Sequence, residues 1–134
     1  MNPILKRGQG WRLGYRPDAV SPSDDKTTIF VALVGADDWA FELTEAEFSD
    51  FRRLLVRLDK TMQAAAAELS DEERLACEVE SQWLWMEAEG FPQAYRIRLI
   101  LNTGRGCEGE WPPGAVRELL EAAQSLHSTY FNGV

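Results

Sequence analysis

The chain has 134 residues, enough for one ordinary domain with a real core. Hydrophobic residues make up 45% of it and charged residues 27%, a globular rather than a disordered composition. A net charge of -8 repels polyphosphate at long range, so generic binding to nucleic acid or to anionic membranes starts disfavoured.

Residues 1–9 read as a short, glycine-punctuated flexible arm. Trp11, Leu13 and Tyr15 then recur at period two and predict a strand. Pro17 stops it, and Ser21 to Asp25 is loop by its turn residues. Thr27 to Val34 is β-branched and nearly all apolar, the pattern of a strand covered on both faces. Gly35-Ala36-Asp37-Asp38 predicts a tight connection into a strand in which Trp39, Phe41 and Leu43 point one way. Thr44-Glu45-Ala46-Glu47 is a capping box: the hydroxyl accepts from the Glu47 amide, and the Glu47 carboxylate reaches back to the Thr44 amide. The helix it starts is expected to run to about Leu69, with Phe48, Phe51, Leu55, Leu58, Met62 and Ala65 as its apolar stripe. Arg52, Arg53, Arg57 and Lys60 read as its solvated face.

Ser70 to Glu73 reads as a turn. Leu75, Cys77 and Val79 alternate with Ala76, Glu78 and Glu80 in the next strand. From Trp83 to Glu89, Trp83, Trp85, Glu87 and Glu89 share one face and Leu84, Met86 and Ala88 the other, until Gly90-Phe91-Pro92 breaks the strand. In AYRIRLIL, residues 94–101, Arg96 and Arg98 alternate with Tyr95, Ile97, Leu99 and Leu101, giving one buried and one basic face. Gly104-Arg105-Gly106 is a hairpin turn, and Cys107, Gly109 and Trp111 alternate with Glu108 and Glu110 in a last strand. Pro112-Pro113 opens a final helix lined by Val116, Leu119, Leu120, Ala123 and Leu126, with fraying after Ser128 and a tail over 129–134. This order predicts a single α+β domain of antiparallel sheets in two strand-run-plus-helix halves, residues 10–69 and 70–128, echoing each other in pattern.

Gly10-Trp11-Arg12-Leu13-Gly14, the run from Asp37 to Thr44 (DDWAFELT) and the run from Trp85 to Pro92 (WMEAEGFP) resemble the cyanobacterial domain of unknown function 1818 family. The resemblance covers almost the whole chain. It implies a fold similar to the Whirly-type single-stranded-DNA-binding transcriptional regulators, two sheets each followed by a helix about a pseudo-twofold. It brings no catalytic or binding residue to this chain, and the lysine-rich binding motif of plant Whirly proteins has no match here.

Enzyme chemistry has little to stand on. His127 is the only histidine and lacks a positioned partner. Cys77 and Cys107 form no CxxC, and read as two free buried thiols of a reducing, cytoplasmic compartment, with a disulfide between them left open. Gly104-Arg105-Gly106 lacks the strand-to-helix context of a phosphate loop. The period-two carboxylates spread along strand faces instead of converging. No catalytic residue, metal or cofactor is expected, and no apolar run has the roughly 20 residues of a membrane span.

A binding role remains. Arg12, Arg16, Arg96 and Arg98, with Lys6, Arg7 and Arg105, could line a single-stranded nucleic-acid track with Trp83, Trp85 or Tyr15 for stacking. The simpler reading pairs those arginines with Glu42, Glu78, Glu80, Glu87, Glu89, Glu108 and Glu110 in a cross-strand ladder, leaving the face acidic. Trp83 and Trp85 are expected in the core or beneath a helix; if their face is outward, they mark a protein interface. The expected function is thus a non-enzymatic macromolecule-binding domain, resembling single-stranded nucleic-acid binders, or alternatively an acidic protein-interaction module. Its partner is not named by the sequence, and a homodimer is open. Which strands flank Arg96 and Arg98 decides between the readings.

Overall fold

The computed structural model of the protein describes residues 3–16, 29–68, 73–102 and 104–130, with side chains as far as residue 126. Strands β1 (Ile4–Gly8), β2 (Trp11–Tyr15), β3 (Ala32–Gly35) and β4 (Ala40–Leu43) form one antiparallel sheet in chain order, followed by helix α1 (Glu45–Ala66). Strands β5 (Leu75–Glu80), β6 (Leu84–Phe91), β7 (Ala94–Leu101) and β8 (Glu108–Trp111) repeat that arrangement, followed by helix α2 (Pro113–Tyr130). The α+β class and the two strand-run-plus-helix halves are therefore as the sequence predicts. The Ser21–Asp25 loop, the start of the Thr27 strand, most of the Ser70–Glu73 turn, the His127 side chain and the 131–134 tail lie outside the described residues.

Four local expectations are corrected. Residues 4–8 are not an arm: they pair along β2, Ile4 opposite Tyr15 and Gly8 opposite Trp11. An edge strand needs only main-chain partners, and the open side of β2 supplies them, so weak side-chain periodicity does not prevent pairing. Helix α1 ends at Ala66, short of Leu69, with Ala67 as its cap. Strand β6 is not broken at Gly90 but runs through it to Phe91, and the turn is Pro92–Gln93. Gly90 allows this at φ 145°, where a Cβ would meet Ala94 O at 2.7 Å and Tyr95 Cα at 2.8 Å. Arg52, expected in solvent, is only 6% exposed, its guanidinium 5.3 Å from the Phe48 ring centroid. It lies one turn beyond Phe48 on the margin of the apolar stripe, near Tyr15 of β2.

The capping box forms as read: Thr44 Oγ1 accepts from Glu47 N at 3.2 Å and Glu47 Oε1 from Thr44 N at 2.9 Å. Glu47 is itself 3% exposed and also receives Arg105 at 2.6 Å. Arg105, from the β7–β8 turn, donates a second bond to Glu42 O at 2.9 Å and lies over Phe30. A turn of the second half is thereby strapped to the helix start of the first.

The halves interlock more deeply still. Helix α1 packs over β5 and β6, while α2 packs over β7 and against β1 and β2. Leu84, Met86, Ala88, Ile97 and Leu99 are fully buried under the helices, together with the α1 stripe and the inner face of α2. Between the sheets two indoles exchange hydrogen bonds. Trp39 Nε1 donates to Glu110 O at 3.1 Å, and buried Trp111 Nε1 donates to Gly35 O at 2.8 Å. The two ring centroids are 4.9 Å apart, and Phe51 closes the cluster at 5.8 Å from Trp111. Gly109 makes room for this: a Cβ there would stand 2.4 Å from the Trp39 ring.

Gly109→Ala is therefore expected to destabilise the fold by about 1–3 kcal/mol, the usual cost of overpacking, in urea denaturation. Gly114→Ala, in open space, serves as a control near zero. Arg105→Ala, which leaves buried Glu47 without its cation, is expected to cost about 2–3 kcal/mol in the same assay.

Candidate interaction surface

The strand register answers the question posed by Arg96 and Arg98. Their neighbours are the glutamate strands: Glu89 faces Arg96, Glu87 faces Arg98, and Glu110 faces Arg98 from the other side. Since Leu84, Met86, Ala88, Ile97 and Leu99 point under the helices, the alternate residues of β5–β8 make the outer face of that sheet. One row across it reads Glu80, Trp85, Ile100, Glu108, and the next reads Glu78, Glu87, Arg98, Glu110.

Arg96 is the hub of this face. Its Nε meets Glu89 at 2.9 Å, its Nη1 meets Glu110 at 2.9 Å, and Glu87 stands at 4.0 Å. Glu89 is held from its other side by Arg74 at 2.6 Å. Hydrogen bonds from Arg74 and then Arg96 lower the pKa of the Glu89 carboxyl, and the bond Arg96 donates to Glu89 raises that of its own guanidinium. The ladder is thus as expected, and it leaves the face acidic: Glu78, Glu80, Glu87, Glu89, Glu108 and Glu110 stand against two strand arginines. Glu78 lies directly opposite Glu87, an unfavourable like-charge pair.

The four arginines of the predicted track come from two sheets, and three of them are engaged by other groups. Arg12 lies on β2 with Arg16 just past its end, and Arg96 and Arg98 lie on β7 of the second sheet. Arg12 donates to Ala36 O at 2.8 Å and to Trp39 O at 2.9 Å, tying down the β3–β4 turn. Arg16 donates to Phe30 O at 2.6 Å and faces Glu42 at 3.5 Å.

The expectation that Trp83 and Trp85 are core is corrected for Trp85 and modified for Trp83. Trp85 is on the outer face, half-buried, with Arg98 5.8 Å from its ring centroid. The alternation that buries Leu84 and Met86 forces it outward. Trp83 is not in β6 but in the turn before it, where Ser81 Oγ accepts from its amide at 3.1 Å and Asn102 donates to its carbonyl at 2.8 Å. It packs partly against the core. Among the described residues neither indole N–H finds a protein acceptor, whereas those of Trp11, Trp39 and Trp111 all do. Ile100 was missed as a surface residue, although its even position beside Arg96 and Arg98 marks it.

Both cysteines are free and half-buried. Cys77 Sγ contacts Met62 Sδ at 3.7 Å, and burial raises its thiol pKa. Among the described residues no group of three or more His, Cys, Asp and Glu side chains is arranged to hold a metal ion, and no helix is long and apolar enough to cross a membrane.

Comparison with known proteins adds a family and a structural relative. The model of a family described as "Domain of unknown function (DUF1818)" matches residues 6–126. Among solved structures, a protein of unknown function from the DUF155 family of Prochlorococcus sp. NATL2A is similar, with a TM-score of 0.79 and 26% identity over 92% of this chain and 98% of that one. No curated protein matches the sequence.

The lowered pKa of Glu89 sets the sign of a pH dependence. A carboxyl whose folded pKa lies below its ordinary value of about 4.3 stabilises above that value, and the contribution fades as pH falls through the folded pKa. Glu89→Gln should therefore lower the urea midpoint at neutral pH, and the difference from wild type should shrink as pH falls below the ordinary carboxyl value of about 4.3.

Proposed function

Because the chain belongs to the domain of unknown function 1818 family, with no activity to inherit, we propose its function from its surface: it is a non-catalytic protein-interaction module. The outer face of β5–β8 receives a basic, partly apolar segment of another protein. One observation carries this reading. In the row Glu80–Trp85–Ile100–Glu108 an apolar pair is flanked by two carboxylates that no described cation neutralises. A half-buried indole with a free N–H beside unpaired carboxylates suits an arginine or lysine laid over the ring. Repulsion between Glu78 and Glu87 would be relieved by the same cation-rich segment. The sole histidine at 127 and the scattered carboxylates support a binding rather than a catalytic role.

Single-stranded nucleic-acid binding on a Whirly-like fold is the second reading. The two-half architecture favours it, while the engagement of Arg12, Arg16 and Arg96 and the acidity of the outer face oppose it.

Fluorescence anisotropy with a labelled peptide alternating arginine and leucine distinguishes the two. Salt-sensitive binding is expected, weakened about tenfold or more by Trp85→Ala or by Glu80→Gln with Glu108→Gln, and labelled oligothymidylate should give no change. Unaltered peptide binding by both variants would sink the proposal.

A further inference from the structure

On the other side of the molecule, a groove of about 650 Å³ runs between α1 and α2. Arg52, Arg53, Val56, Arg57 and Lys60 line it from α1, and Ala123 lines it from α2. The α1 residues fall within an arc of about 140° at 100° per residue, so the cations share one helix face. Asp50 bridges Arg53 at 3.2 Å. Arg57 and Lys60 are exposed and have no carboxylate within bridging distance among the described residues.

Spacing of this kind works against the helix. Arg53 and Arg57 at i,i+4, and Arg57 and Lys60 at i,i+3, repel across one turn. Fourteen Lys and Arg stand against 22 Asp and Glu in the chain, yet four of the cations gather here. Arg52 forms part of the groove wall, its guanidinium turned back over the Phe48 ring. The volume lies within the ordinary range of small-molecule sites, and Val56 and Ala123 give it an apolar floor.

We infer that this groove binds a small organic phosphate, its phosphate groups held by Arg53, Arg57 and Lys60 and its less polar body resting on Val56 and Ala123. Guanidinium forks meet phosphate oxygens bidentately, and lysine adds a point charge. Arg57 and Lys60, with no bridging carboxylate among the described residues, leave two positive charges on one face, which matches a phosphate dianion or diphosphate better than a monocarboxylate. The site is separate from the outer sheet face and stands or falls independently of it.

Amide chemical-shift titration of the intact chain at low ionic strength tests the inference, with inorganic pyrophosphate and adenosine diphosphate as probes. Both should give saturable shifts confined to residues around 49–60 and 123–124, with the nucleotide tighter. Arg57→Gln with Lys60→Gln, at exposed positions, should weaken both about tenfold or more, while Arg7→Gln, an exposed cation elsewhere, should change neither. The inference is overturned by no saturable shift at about 1 mM probe, by unchanged binding in the double variant, or by shifts centred elsewhere. Equal affinity for both probes keeps the phosphate contact and removes the role given to Val56 and Ala123. Far tighter binding of a single-stranded oligothymidylate through the same residues would assign the groove to nucleic acid instead and overturn it.

Discussion

The exchange between Trp39 and Trp111 is the constraint on which the other features depend. Each indole donates to a backbone carbonyl of the opposite half, and the two rings pack together with Phe51 behind them. A buried indole N–H without an acceptor is costly, so each tryptophan specifies where the other half's backbone must be. Gly109 is then obligatory as a surface for the Trp39 ring. Arg105 adds a charged strap from the β7–β8 turn to Glu47 at the start of α1. The two halves look alike in pattern, yet neither completes its core alone. Helix α1 leaves its own sheet to cover β5 and β6, and α2 reaches back to β1 and β2.

Once the helices occupy the inner faces, alternation along each strand sets the chemistry of the outer ones. In the second sheet this leaves Arg96 among three glutamates and places Trp85 and Ile100 together in a row bounded by Glu80 and Glu108. Exposed ion pairs of this kind contribute little stability each. Their greater effect is on the field of the surface. Six carboxylates against two strand arginines make an acidic wall, with Glu78 set directly opposite Glu87 within it. The opposite charge collects behind α1, in the groove between the helices. A net charge of -8 thus conceals a polar molecule, with one acidic and one basic surface separated by a sheet and a helix.

Much of this was legible in the residues. Thr44-Glu45-Ala46-Glu47 announces α1 because capping is a matter of four neighbouring residues. The alternation of Tyr95, Ile97, Leu99 and Leu101 announces β7 and its buried face for the same reason of locality. The errors fall where the partner is distant. Residues 4–8 become a strand because β2 offers an edge, Arg52 becomes buried because it packs over Phe48 near Tyr15 of β2, and Trp85 faces outward because Leu84 and Met86 face in.

By itself, then, the sequence determined the α+β class, the capping of α1, the helix stripes and the division of each strand into two faces, since these depend on short-range periodicity and local hydrogen bonding. It also supplied the acidic excess that makes glutamates outnumber arginines on any shared face. Only the tertiary structure decided which strands lie side by side, which face meets the helices, and which cations of α1 share a groove with α2. Pairing and packing are chosen by the burial of the whole core and by long-range contacts such as the tryptophan exchange, and no local stretch of chain encodes them.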